Sequence, residues 1–227
     1  MPILEIDHLS FQFRKKPIFT NAQLTLTQQG VYGLVAPNGT GKSTVLNLIA
    51  GILQPDKGTI RIMDRPNSPA TVFAYVSYAQ SAEHFLPEMK GSDYVTLFQK
   101  AHQLNKQRVD AVIARLGVDS FQKERIRTYS MGMKQRLTLA IALMIDAPLL
   151  LLDEPLNGLD PDSLAIIRRT IIQEGQSGHT VLLASHNLDE LARVTKQGFV
   201  IVNQQIQPVS FTDSLNLEKV YRHYFPE

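Results

Sequence analysis

The sequence predicts an α/β fold: a core of buried strands and helices carrying a helical insert of about 45 residues. Three observations carry this expectation. The apolar runs LLLL (149–152) and TVLLAS (180–185) have strand length and are separated by helical SLAIIRRTIIQEG. Such runs suit strands buried on both faces of a parallel sheet. Residues 3–35 read as short strands, and from about Glu83 to Arg127 the character turns helical. With 227 residues, 44% of them hydrophobic, the chain suffices for one sizeable domain or two small ones around a real core.

Taken in order, ILEIDHLSFQF and AQLTLT alternate polar and apolar residues, and VYGLVA is a short buried strand. STVLNLIAGIL has helical spacing, loosening at Gly51. GTIRIM and TVFAYVSYA are strand-like. KGSDYVTLFQKAHQL and KQRVDAVIARLGV are helices, with Gly117 as a C-terminal stop. A further helix runs from Ser130 to Met144 with Ser130 as its N-cap. GFVIVNQQIQPV reads as a hairpin and LEKVYRHYF as a closing helix. There is no internal repeat and no low-complexity linker.

Composition excludes several classes. Lys+Arg number 23 against 21 Asp+Glu, a formal charge of +2, too balanced to argue for nucleic acid or an anionic membrane as partner. The absence of cysteine rules out disulfides and thiolate metal sites. The N-terminus lacks the basic region and apolar run of a signal peptide. No uncharged apolar stretch of about 18 residues exists, so a membrane part would come from another chain.

Chemistry concentrates in a few segments. Strand VYGLV runs into APNGTGKST (36–44) and then into a helix, the context of a phosphate-binding loop. Loop N–H groups can form an anion nest at a helix N-terminus, in a loop that also holds Pro37, Asn38 and Thr40. Gly39 and Gly41 let the backbone approach phosphate oxygens. Lys42 would bridge the β- and γ-phosphates, Ser43 would offer its hydroxyl to Mg²⁺, and Thr44 would sit near the α-phosphate. LLLLDEP ends a buried strand on two carboxylates. Ligands bind at the carboxyl ends of strands in open α/β sheets. Asp153 would hold Mg²⁺ and Glu154 would polarise the attacking water or act as its general base. Two adjacent carboxylates against an apolar strand are an ordinary acidic turn or a cation site, and their mutual repulsion favours the cation. His186 follows the strand TVLLA and is placed to contact a γ-phosphate. His8, His84, His102, His179 and His223 read as structural. Gln80, after TVFAYVSYA, is an exposed amide able to reach a metal or water. Ser130 and Gly132 open a second helix N-terminus suited to an anion the residues alone do not name. Lys134, Gln135 and Arg136 read as a solvated helix face or as partners of a neighbouring loop.

Together these segments resemble the nucleotide-binding subunits of ATP-binding cassette (ABC) transporters. APNGTGKST is similar to the family's Walker A motif, LLLLDEP to Walker B, Gln80 to the Q-loop and YSMGM to the signature. NGLD (157–160) is similar to the D-loop and His186 to the switch histidine. All stand in the family's order, and the likeness covers nearly the whole chain. Phe13, before the basic turn RKK, stands where the family places an adenine-stacking aromatic, usually Tyr; the other reading is a core aromatic in an alternating strand. The resemblance implies a P-loop ATPase core with a mainly parallel sheet, an N-terminal antiparallel β subdomain and an inserted α-helical subdomain. The core would comprise about 1–82 and 146–227, and the helical subdomain, with the signature, about 83–145. It also implies a head-to-tail dimer holding two ATP molecules with Mg²⁺. Ser130 and Gly132 of one copy would cap the γ-phosphate held by Lys42 of the other, and Asp160 would link the two sites. Gln80 would hinge the helical insert, which docks on a multi-spanning membrane permease, so the chain would sit in the cytoplasm on the inner face of the membrane.

Two departures stand out. Met131 and Met133 replace a glycine and the glutamine of the usual signature, in a form similar to bacterial exporters of the bacitracin and lantibiotic type. Ala36 replaces the first glycine of the phosphate loop, which is strained only if that position needs a positive φ. Alternatives are a soluble ABC ATPase acting on nucleic acid or ribosomes, an importer ATPase, and a P-loop kinase, which has no use for Ser130, Gly132 and His186 together.

Overall fold

The computed structural model describes residues 1–80 and 84–211. The closing helix expected over LEKVYRHYF, with His223, lies outside the described residues, as does the start of the insert at Glu83. Two sheets form the frame. The first, in order β2-β1-β4-β5, is antiparallel: β1 (Leu4–Phe13), β2 (Lys16–Leu26), β4 (Lys57–Ile62) and β5 (Arg65–Pro66). The second, in order β10-β9-β3-β8-β7-β6, holds β3 (Gly30–Val35), β6 (Val76–Ala79), β7 (Leu149–Asp153), β8 (Thr180–Ser185), β9 (Gln197–Val202) and β10 (Gln205–Ser210). Its strands run parallel except for the β9–β10 hairpin.

Period two in the central strands sorts side chains between two cores. Leu149, Leu151, Leu182 and Ala184 face one way, into a core shared with the antiparallel sheet and α1 (Lys42–Ile49). Leu150, Leu152, Val181 and Leu183 face the other, toward α5 (Met131–Met144), α6 (Pro161–Gln176) and α7 (Leu188–Val194). Strands β7 and β8 are buried along their whole length, which is why they read as unbroken apolar runs. The remaining α-helices among the described residues are α2 (Pro69–Tyr75), α3 (Gly91–Ala101) and α4 (Lys106–Arg115). Gly117 ends α4 region turns in the left-handed conformation, φ 63°, as its place in the sequence predicts.

One segment departs from expectation. TVFAYVSYA is not a single strand: its first half lies in α2 and only VSYA pairs, with β7. The cause is local. The Ser68 hydroxyl accepts the Thr71 N–H at 3.2 Å and Pro69 occupies the first helical position, which together start a helix. The β-branched and aromatic content that suggested a strand then serves a short amphipathic turn.

A five-member polar lock joins α4 to the core. Arg108 Nη2 lies 2.5 Å from Asp146 Oδ1 and Arg115 Nη2 2.5 Å from Glu174 Oε1. His179 stands between these acids, Nε2 3.0 Å from Asp146 and Nδ1 2.9 Å from Glu174. His179 is thus structural, as expected.

Candidate active site

Strand β3 delivers the chain into the loop 36–41 at the carboxyl edge of the sheet. Gly39 (φ 78°) and Gly41 (φ 120°) adopt left-handed backbone that other residues take with strain. Space above Gly39 is open, whereas a side chain at Gly41 would strike Ile18 and Phe19. Ala36 is not among the positive-φ residues, and its methyl is fully buried in the core under the loop. The substitution at the first glycine position therefore stores no backbone strain. No side chain caps the N-terminus of α1 and its first turn carries no acid, so its free N–H groups face the loop side.

Lys42 is 6% exposed. Its Nζ donates to Ala36 O at 2.7 Å and Pro37 O at 3.3 Å, with Asn38 Oδ1 at 3.5 Å, and lies 3.2 Å from Glu154 Oε1. Thr40 closes the loop by donating to Pro37 O. Ser43 is exposed and Thr44 half-buried on the first turn of α1.

Strand β7 ends on the carboxylates. Asp153 shares the α1 face with Leu149 and Leu151, and its Oδ1 is buried with no hydrogen-bond partner. Burial pushes its pKa up and the neighbouring Glu154 charge adds to this, while the Ser43 hydroxyl and the Lys42 ammonium pull the other way. The Tyr78 hydroxyl stands 3.5 Å from Asp153 Oδ2, and burial together with that carboxylate pushes the tyrosine pKa far up. At Glu154 the chain turns with φ 50°, a conformation an L side chain adopts at a cost of about 1–2 kcal/mol. The turn is held by its N–H on Ala184 O at 3.0 Å and by four side-chain contacts. Oε1 meets Lys42 and His186 Nδ1 at 3.1 Å, and Oε2 accepts from Asn157 Nδ2 at 2.7 Å and the His186 N–H at 3.2 Å.

The structure therefore brings together Pro37 to Ser43, Asp153, Glu154 and His186. Gln80 sits at the margin, its Nε2 donating to Asn47 Oδ1 on α1 at 3.3 Å. Phe13 is 48% exposed at the end of β1, edge-on to Phe11 with centroids 4.9 Å apart. Its free face is available for stacking, and it is not a core aromatic. Ser130, Gly132 and Asp160 form a second group. The Ser130 hydroxyl accepts the Met133 N–H at 3.2 Å as cap of α5. Asp160 Oδ1 accepts the Ser163 N–H at 2.8 Å as cap of α6, and this bond, with the Ser163 hydroxyl and Arg136 nearby, holds its carboxyl below the usual range. Gly132 packs so tightly on α6 that a methyl there would collide with Ser163 Oγ and Asp160 Oδ2. Among the described residues no hydrogen bond or ion pair joins this second group to Lys42 or Glu154.

Asn157, Asn47 and Tyr78 are contacts sequence reading did not assign. Asn157 had a signal, three residues beyond Glu154 in NGLD. Asn47 and Tyr78 had none, because their partners lie far along the chain. A cavity of about 910 Å³ lined by Arg168, Ile172, Ala192 and Phe211 lies elsewhere and contains none of the site residues.

The sequence pattern of the family described as "ABC transporter" matches residues 19–157. The lantibiotic transport ATP-binding protein SrtF of Streptococcus pyogenes is 28% identical, over 97% of this chain and 96% of that protein. The cytochrome c biogenesis ATP-binding export protein CcmA of Cupriavidus pinatubonensis is 32% identical, over 82% of this chain and 84% of its own length. A solved ATP-binding subunit of an ABC transporter superposes with a TM-score of 0.84 over 97% of this chain and 94% of that one, at 21% identity. The match covers the phosphate-type loop and the strand-end acids, and the likeness runs through sequence and fold alike: this chain belongs to the ABC transporter family, as one of its ATP-binding, ATP-hydrolysing subunits.

Proposed function

We propose that this chain binds ATP with Mg²⁺, pairs head-to-tail with a second ATPase copy and powers export through a separate multi-spanning permease. The observation that carries the chemistry is Glu154 held at once by Lys42, His186 and Asn157. Such a carboxylate is fixed in direction and positioned to take a proton from water attacking a γ-phosphate. His186 keeps it aimed. Lys42, already among loop carbonyls, is placed for the β- and γ-phosphates, and the open backbone at Gly39 admits them. Phe13 offers a ring for adenine.

The residues also fit Mg²⁺. Asp153 presents a buried oxygen without a partner beside the Ser43 hydroxyl. Ser43 and Asp153 would hold it, with Gln80 at the margin. Bound there, Mg²⁺ would neutralise charge on the phosphate oxygens.

In the pair, Ser130 and Gly132 of one copy would cap the γ-phosphate on the other, and Asp160 would link the sites. No described helix is long and apolar enough to cross a membrane; in this reading the permease is a separate chain and this subunit is peripheral on the cytoplasmic face. The helical region 83–145 would dock on it, with Gln80 as hinge. Export is favoured by the name of CcmA, and a peptide-like or drug-like cargo by the lantibiotic in the name of SrtF and by the methionine-containing signature. Nucleic acid is not expected as partner.

The test is Glu154→Gln protein with Mg-ATP on a sizing column with light scattering. A dimer that dissociates on ATP removal is expected; a monomer at saturating ATP overturns the pairing. Detergent pull-down of a multi-spanning protein tests the permease.

A further inference from the structure

Tyr78 takes no part in the chemistry above, yet it touches the centre of it. The register of β6 with β7 sets Tyr78 opposite Leu151. Both side chains face α1, and by period two so does Asp153, two residues on. The ring therefore runs along β7 toward the strand end. Its hydroxyl reaches to 3.5 Å of Asp153 Oδ2, longer than a typical O–H···O bond, and the Gln80 side chain acts on the same hydroxyl. Gln80 in turn donates to Asn47 on α1. A polar string thus runs from Asn47 through Gln80 and Tyr78 to Asp153. Of the two Asp153 oxygens, the one the tyrosine faces is Oδ2; the other, Oδ1, is buried and has no partner.

A carboxylate with two equivalent oxygens rotates about its last bond and presents either of them. A donor on one oxygen fixes the plane and leaves the other to the metal. Outer-shell donors of this kind commonly change metal affinity 10–100-fold when removed. Phenylalanine at position 78 would fill nearly the same space without this contact, so the hydroxyl does something packing does not require.

We infer that Tyr78 is a positioning residue for the divalent cation: its hydroxyl holds Asp153 by Oδ2, turns Oδ1 toward the cation, and ties the Gln80 amide to the same carboxylate. This rests on the assignment of Asp153 to the metal. It makes Gln80 and Asp153 mechanically dependent, since displacement of the Gln80 segment pulls on the tyrosine that orients the metal carboxylate.

The experiment uses the full chain with a non-hydrolysable ATP analogue and Mn²⁺ as the probe, followed by electron paramagnetic resonance of free and bound Mn²⁺. Tyr78→Phe keeps the ring and removes only the hydroxyl. We expect its Mn²⁺ affinity to fall roughly tenfold with an altered bound-Mn²⁺ spectrum, while analogue binding in EDTA stays within about twofold. Unchanged Mn²⁺ affinity and spectrum overturn the inference, as does an equal loss of analogue binding in EDTA, which would mark a merely structural role. Should Tyr78→Phe be insoluble, Tyr78→Leu is read in the same way. Asp153→Asn separates the two layers. If it leaves Mn²⁺ binding intact, the metal assignment itself falls; if it abolishes binding while Tyr78→Phe does not weaken it, only the role of Tyr78 falls.

Discussion

Lys42 Nζ and Glu154 Oε1 stand 3.2 Å apart, joining the loop after β3 to the end of β7 by an ion pair with its lysine almost fully buried. A triphosphate on the loop competes with Glu154 for that ammonium. The two residues should therefore fail differently. Lys42→Ala should weaken ATP binding and lower phosphate release at least ~10²-fold. Glu154→Gln should bind ATP as well as the parent while hydrolysis drops by about 10³-fold. Nucleotide titration beside a phosphate-release assay separates the two, and similar binding loss in both would contradict the assignment.

In the proposed mechanism His186 acts through Glu154, to which it donates both a backbone N–H and, in the matching tautomer, its ring. His186→Ala should reduce kcat by about 10²-fold with KM for ATP changed less than threefold. Steady-state kinetics would reveal the opposite pattern, a KM effect alone, if His186 served only to bind nucleotide.

Ala36 has neither a positive φ nor an exposed methyl. Ala36→Gly should shift ATP affinity by less than tenfold, below about 1.4 kcal/mol. It should also lower stability by roughly 0.5–1 kcal/mol, because glycine loosens the unfolded chain and removes a packed methyl. A large gain in affinity would show that the loop is held too tightly by the methyl.

Asp153 is raised above its ordinary pKa of 3.8 chiefly by burial. The sign follows directly. The ionised form is less favourable in the fold than in the unfolded chain, so the penalty is absent below the ordinary value and grows as pH rises through the raised one. Asp153→Asn should melt higher than the parent in metal-free buffer at pH 7.5, and this gain should shrink toward pH 4. The same variant should lose Mg²⁺-dependent hydrolysis. Paired thermal melts at the two pH values decide it.

The lock around His179 has the opposite sign. Its hydrogen bond to Glu174 raises the histidine pKa against burial, with Asp146 adding to it. Its contribution is full below the ordinary value of 6.5 and is lost as pH climbs through the raised value. For Glu174, burial is outweighed by His179 and Arg115, so its contribution is present above 4.5 and lost as pH falls through the lowered value. The melting difference between parent and His179→Gln should be largest near pH 6 and diminish toward pH 9. Arg108, Arg115, Asp146 and Glu174 are the charged groups facing the ring.

What could be read in advance was whatever is local. The loop glycines, Lys42 and Ser43 lie within a few residues of each other, and the buried runs β7 and β8 announce themselves by length. The Ser68–Pro69 start of α2 was equally local, but the aromatic content of TVFAYVSYA hid it. Phe13 was ambiguous because β1 carries bulges between Ile6 and Phe11, which break the parity that alternation relies on. Tyr78 on Asp153, Gln80 on Asn47 and His179 on Asp146 and Glu174 depend on strand register and helix packing between segments about 30 or more residues apart for the most part, and no spacing rule reaches that far.

Gly132 lies against Asp160 and Ser163 with no room for a methyl. The start of α5 and the start of α6 are consequently in close contact. In the proposed pair, α5 meets the nucleotide of the neighbour while α6 continues from the segment that holds Glu154 through Asn157. The pair of sites would then be joined through the close contact of Gly132 with α6, not only through the sheet.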